Sequence, residues 1–421
     1  MELHPMLDSD TTPNTGLWYV LSTFGDCPSI RVGHTISFVK SEEEGKNGRL
    51  YVIGGANPSG AFCDTFVLDL NTMQWDMIDF PGFRARYEHA AFIPSSQPDK
   101  IYIFGGADQT GNMNDIQVLD TKNNSWSTPS VSGTPPSPRT YHTTAIAGDN
   151  FIVYSGGHSG PDPVADRQVY SFNASTLTWT KLNVKGDSPK ARHGHVSVAV
   201  GNKFYIHGGM AGSSFYDDIH VLDLDKKSWS NIKRKKVYPS ARAAHSCTAV
   251  GTDLYLFGGM NRDGALDDLY KFDTVSQVWT KIELCGPPPA CRLDFGICTM
   301  ELCRSLPTVN DDNDDDDIVS ATKHVQEVLD RELKPGSASS RDSRQGTGSA
   351  KKLAKGNDMT MNPTEPLSDS DEETPRPDGV VEGASCLYDR CESKTMTFIL
   401  VNGGMDTEGE IFDDSLKTLQ L

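Results

Sequence analysis

The chain has 421 residues, 37% of them hydrophobic, which is ample for a core and more than one ordinary domain usually holds. Acidic residues number 57 against 39 basic ones, and the net charge of −18 excludes a protein that grips nucleic acid through an overall basic surface. Nine scattered cysteines without a C-x-x-C pair argue against a disulfide framework or a zinc ribbon, and 38 glycines point to a turn-rich β-protein in a reducing compartment.

Residues 1–16 read as a tail that carries acids and no apolar run, so neither a secretory signal nor a transit peptide is expected there. No stretch approaches the roughly 20 apolar residues of a membrane helix, and the expected location is the cytoplasm with no transmembrane segment. Leu17-Trp-Tyr-Val-Leu21 reads as a strand. Six apolar runs ending in paired glycines follow, from Leu50-Tyr-Val-Ile-Gly-Gly55 to Phe398-Ile-Leu-Val-Asn-Gly-Gly404, with first glycines at 54, 105, 156, 208, 258 and 403. Their spacings are 51, 51, 52, 50 and 145, so the first five form one periodic series.

The flanks keep the same phase. Upstream of the pairs stand Arg31, Arg86, Arg139, Arg192, Arg242 and Arg292, each followed three residues later by His34, His89, His142, His195, His245 or, in the sixth copy, Phe295. Downstream come Asp64, Asp115, Asp166, Asp217, Asp267 and Asp413, then an apolar stretch, then Trp75, Trp126, Trp179, Trp229 and Trp279. Each unit predicts four short strands, one propeller blade, with the glycines at a close turn near the axis and the Trp packing one blade on the next. The sixth copy has no Trp after it, and Leu17–Leu21 supplies its outer strand and closes the ring.

The sixth unit departs from the period. Residues 304–395 hold 12 basic and 20 acidic side chains, including Asp311-Asp-Asn-Asp-Asp-Asp-Asp317, and few aromatics. This composition predicts a disordered acidic insertion in which Ser368 and Ser370, each with an acid three residues on, are phosphorylation sites. The organisation expected is therefore an N-terminal tail over 1–16, closing strand and propeller over 17–303, the insertion over 304–395 and the rest of blade six over 396–421. The fold class is all-β, a six-bladed propeller.

No catalytic signature stands out: there is no G-x-S-x-G, no Walker loop and no H-E-x-x-H. The in-phase histidines would lie on a ring rather than converge as metal ligands do, so they are expected to hydrogen-bond within their own blades, and no cofactor or metal is expected. The repeated arginines and the paired acids Asp217-Asp218, Asp267-Asp268 and Asp413-Asp414 recur in phase and read as structural. Lys233-Arg234-Lys235-Lys236, the one dense basic run, is a solvated loop or a contact for an acidic surface or lipid head groups. What remains is binding. The loops after each glycine pair and before each Arg share one face and vary between blades, and Phe62, Tyr87, Phe215 and Tyr216 are the candidate anchors there, with burial between blades as the alternative for these four.

The repeat residues resemble the kelch family. Gly54-Gly-Ala-Asn-Pro58, Arg86-Tyr-Glu-His-Ala-Ala-Phe-Ile-Pro-Ser95, Arg192-His-Gly-His-Val196 and Gly403-Gly-Met-Asp-Thr-Glu-Gly-Glu-Ile-Phe-Asp-Asp414 are similar to the kelch-motif effectors of a late-endosomal Rab GTPase. That resemblance implies a non-enzymatic protein that binds the GTP form of a Rab, reaches endosomal membrane proteins or lipids through a partner, and serves transport from endosomes to the trans-Golgi network. Two alternatives stand beside it. One is a substrate receptor of a cullin-type ubiquitin ligase, although a BTB domain or elongin-binding helix is not evident; the other is a kelch-fold sugar-modifying enzyme.

Overall fold

Strands dominate because each unit alternates short β-branched and aromatic runs with Gly, Asn, Asp and Pro clusters. The computed structural model describes residues 4–8, 11–78, 81–140, 145–158, 160–305, 393–412 and 416–421, and among these no helix occurs. The six large sheets are the six blades of a β-propeller. Blade one runs from the axis outward as Thr35–Val39, Arg49–Ile53, Thr65–Asp69 and Gln74–Ile78, each antiparallel to the next. Blades two to five repeat this order, and their innermost strands lie next to one another around the axis.

The second strand of each blade is buried on both faces, which is why Leu50-Tyr51-Val52-Ile53 is continuously apolar rather than alternating. Outer strands alternate instead, with the Trp pointing inward. Each Trp packs between its own blade and the preceding one: Trp126 of blade two lies with Tyr51, Ile53 and Val67 of blade one, and Trp179 of blade three with Phe92 and Phe104 of blade two. Their indoles join other aromatic rings at these interfaces: Phe104 lies against Trp179 at 5.0 Å between ring centres, beside Phe92 stacked on Phe151 at 4.3 Å.

The ring closes through the N-terminal strand. Trp18–Leu21 pairs antiparallel with Lys417–Gln420, in the register Trp18↔Leu419, as the outer strand of blade six. Trp18 thereby becomes the sixth interblade indole, 5.5 Å from the Phe257 ring of blade five. Met6–Leu7 adds a parallel strand outside it, as Phe24–Gly25, Ser132–Gly133 and Lys185–Gly186 do on blades one, three and four.

Blade six is built on a long hairpin, Gly296–Ser305 against Ser393–Asn402. Arg304, Lys394 and Thr395, placed by composition at the edges of the acidic insertion, are rungs of this ladder. The Arg304 guanidinium is buried and donates to the carbonyls of Asp8 and Thr11, fastening the N-terminal segment over the hairpin. Residues 306–392, Ser368 and Ser370 included, lie outside the described residues.

Candidate partner-binding face

The face is organised by a repeated arginine clamp. All six arginines are at most 1% exposed. In each blade one guanidinium NH1 donates to the carbonyl at the end of the second strand: Gly54, Gly105, Ser155, Gly208, Gly258 and Gly403. The glycine spacing aligns Gly156 with the other first glycines, but the structure puts Ser155 there, at φ 56° beside φ 60–66° for Gly54, Gly105, Gly208, Gly258 and Gly403. Its side chain is absorbed because Ser155 Oγ accepts the Arg192 backbone N–H at 2.7 Å. The second glycine of each blade donates its N–H to the backbone carbonyl of the next blade's Arg, from Gly55 to Arg86 around to Gly404 to Arg31. A Cβ on Gly54 would sit 2.7 Å from the Arg86 carbonyl oxygen, which explains the requirement for glycine there.

The acids close the clamp. Asp64, Asp115, Asp218 and Asp268 form fork-like pairs with Arg31, Arg86, Arg192 and Arg242. In blades four and five the clamp uses Asp218 and Asp268, not Asp217 and Asp267, which repeat counting selects; Asp217 binds Arg234 on the surface instead. Burial alone would raise the Asp218 carboxyl, but hydrogen bonds from His220 and Arg192 hold it well below the usual carboxylate range. Blade three is looser: Arg139 and Asp166 stand 4.0 Å apart and Tyr170 donates its hydroxyl to Asp166. Asp413 and Asp414 lie outside the described residues.

The histidines tie neighbouring blades, not single ones. Thr35 of blade one meets His89 Nε2 at 2.9 Å, and His207 of blade four meets His245 at 3.1 Å. The rings of His34, His89 and His245 each stand over the first glycine of the preceding blade, and Phe295 does the same over Gly258. A flat ring is therefore the shared requirement, which is why phenylalanine serves in the sixth copy. Burial, then Arg31, holds His34 down at about 3. His142 lies outside the described residues.

On this scaffold each glycine pair launches a small hairpin onto one face, as in Ala56–Asn57 with Gly60–Ala61, Ala107–Asp108 with Gly111–Asn112, and Met210–Ala211 with Ser214–Phe215. The residue after each Arg bridges to it, for example Tyr87 to Ala107 and His193 to Met210. Of the candidate anchors, all four are half-buried on this face. Phe62 and Tyr216 cover the clamp: the Arg31 and Arg192 guanidinium carbons lie 4.3 and 4.4 Å from their ring centres, and Phe412 covers Arg292 at 4.8 Å. Tyr87 and Phe215 belong to the hairpin layer, and among the described residues neither ring lies over a guanidinium.

The basic run is exposed on the rim between blades four and five. Arg234 is engaged with Asp217 and lies over Tyr238, and Lys235 donates to the Ser276 carbonyl. Lys233 and Lys236 make no ion pair among the described residues.

Signals for the clamp were present in the sequence, but one further ring was not foreseen. Among the described residues, those two after an Arg, Gly33, Glu88, Gly194, Ala244 and Asp294, all have φ between 53° and 62°, and Tyr141, two after Arg139, lies outside the described residues. Glu88 donates its N–H to Gly33, Ala244 to Gly194, Asp294 to Ala244 and Gly33 to Asp294, which forms the described part of a backbone annulus around the mouth of the axial channel. Gly at two of these positions was the only cue.

Comparison with known proteins agrees with this geometry. The chain is 47% identical over 223 residues to the Rab9 effector protein with kelch motifs of Xenopus laevis, covering 53% of this chain and 61% of the frog protein. For the human protein of the same name the values are 46% over 220 residues, 52% and 59%, and for that of Danio rerio 42% over 236 residues, 53% and 67%. The chain thus spans about three fifths of the length of the frog and human relatives. Residues 44–259 and 156–304 match the KLHDC2/KLHL20/DRC7 Kelch-repeats domain. With its six glycine-paired blades and arginine clamps, the chain belongs to the kelch-repeat family.

Proposed function

We propose that the chain is a Rab effector, binding a Rab GTPase in its GTP form through the hairpin face and serving transport from endosomes to the trans-Golgi network. The observation that carries this reading is one rigid face on which unequal hairpins, with aromatic residues among them, are held by buried clamps, a preorganised recognition surface. The relatives' name, Rab9 effector protein with kelch motifs, supports the choice of partner. Tyr87 and Phe215 are the anchors expected to matter most, with Phe62 and Tyr216 contributing their exposed edges. Lys233 and Lys236 on the rim suit an acidic patch of the partner or the lipid head groups beside it.

An effector must distinguish the two nucleotide states, since equal affinity for both shifts nothing. Titration calorimetry of the full chain with Rab9 loaded with a non-hydrolysable GTP analogue or with GDP is the direct test. At least about tenfold tighter binding of the GTP form, ~1.4 kcal/mol, is expected. Equal affinities, or none, would reject the effector reading.

A further inference from the structure

The mouth of the axial channel contains a chemistry that the clamps and hairpins do not use. Inside the backbone annulus is a cavity of about 110 Å³ whose lining includes Asp294, Glu88, Phe295 and the rings of His89, His195 and His245. The volume suits the head group of one side chain and is too small for a nucleotide or sugar chain. Among the described residues no Lys or Arg lines it. The annulus N–H groups described above are spent on neighbouring carbonyls, so they offer nothing to an anion.

Asp294 is the unusual member. At this position the other described blades carry Gly33, Glu88, Gly194 and Ala244, and only Glu88 also brings an acid to the cavity. Among the described residues the Asp294 carboxyl has neither a hydrogen bond nor an ion pair. Burial pushes it up to about 7. The side chain is half-buried at the channel mouth, where a carboxylate that has lost part of its water and has no partner is unfavourable, and a cation is the group that relieves it. The ring wall suits the alkyl stem of a long basic side chain. No three His, Cys, Asp or Glu side chains among the described residues are grouped to hold a metal, which favours an organic cation.

We propose that the channel mouth is a receptor for one Lys or Arg side chain of the bound partner, with Asp294 as its counter-ion and Phe295 as part of its wall. The site rests on the reading of this face as the effector surface and deepens it: the aromatic hairpins grip the partner's body, and the channel reads a single basic residue at its centre. Charge pairing in a partly desolvated cavity then contributes specificity, because a partner with a neutral residue there leaves the carboxylate unmet.

Two arms test it. In the first, ligand-observed saturation-transfer NMR on the full chain uses N-acetyl-arginine amide, N-acetyl-lysine amide and the neutral N-acetyl-citrulline amide. The two cations should bind and citrulline should not, and Asp294→Asn should weaken cation binding about tenfold. Asp294→Gly is the second variant, because glycine favours the φ of 53° found here and keeps the annulus intact. Citrulline binding as well as arginine, or unchanged arginine binding in both variants, would overturn the proposal. The second arm measures GTP-loaded Rab9: a loss of affinity in Asp294→Asn with an unchanged melt supports the receptor. Equal binding by wild type and both variants overturns the receptor and leaves the effector reading standing. Arginine binding without any GTPase binding rejects the effector reading and leaves the receptor standing.

Discussion

Six buried guanidiniums could be costly, yet each is surrounded by acceptors, and the differences between blades make the clamp testable. In blade five Arg242 meets Asp268 at 2.5 and 3.0 Å, whereas in blade three Asp166 is 4.0 Å from Arg139 and takes a hydrogen bond from Tyr170. Removing one partner of a buried pair typically costs about 3–5 kcal/mol. Asp268→Asn should therefore lower stability by about 3 kcal/mol in urea unfolding, and Asp166→Asn by clearly less; equal losses would mean that the fork geometry is irrelevant. Proton linkage gives a second residue-scale prediction. His34 and His207 are each held at about 3, by burial first, against an ordinary value of 6.5. Between these values the unfolded chain binds more protons, so the contribution is complete above pH 6.5 and is lost as pH falls toward 3. Each ring should cost about 2 kcal/mol between pH 6.5 and 5. Asp294 acts in the opposite sense, since its raised value favours the folded state at low pH and that contribution is lost as pH rises toward 7. His34→Phe, copying Phe295, should flatten the fall in urea midpoint between pH 7 and 5, and an unchanged slope would show that the ring does not carry the linkage.

At the scale of strands and blades, the outer strand Trp18–Leu21 bears a share of stability out of proportion to its four residues. Trp18 is fully buried between blades five and six. Trp18→Ala should cost about 3–5 kcal/mol, and deleting residues 1–23 should also broaden the melt followed by circular dichroism, because a sheet edge is exposed. A truncated chain that melts as sharply and as high as the parent would refute the closure account. Blade number and the place of each Trp were legible because they follow from hydrophobic period and from glycines forced by a close carbonyl. Side-chain partners within the turn were less so. Counting from the glycine pair cannot tell Asp217 from Asp218, since two adjacent acids occupy the strand start and only the pleat decides which one faces the clamp. Ser155 was hidden for a related reason: its backbone is left-handed like a glycine's, but its composition gives no sign of it. Phe62 and Tyr216 read as apolar loop residues, and nothing in the sequence separates an exposed anchor from a ring laid over a buried arginine.

For the whole molecule, the division between lids and anchors predicts which changes reach the partner without reaching the fold. Phe62→Ala and Tyr216→Ala remove the rings over Arg31 and Arg192 and should cost about 1–2 kcal/mol of stability. Tyr87→Ala and Phe215→Ala should leave the melt nearly unchanged while weakening GTP-loaded Rab9 by ~2 kcal/mol. Calorimetric titration beside thermal melts separates the two groups, and a uniform response of all four would remove the distinction.

The seam of the ring also fixes how the molecule answers a mechanical load. Trp18 faces Leu419 and Val20 faces Lys417, so the chain enters this pair at Trp18 and leaves it past Leu419 on the same side. Tension applied through Gly16 and Leu421 therefore opens the seam like a zipper, one rung at a time, and never loads all its hydrogen bonds together in shear. In an optical trap, the first event should be a low-force peel of a few residues, with the other five blades still folded behind it. Attachment points moved into blade three should meet much higher resistance.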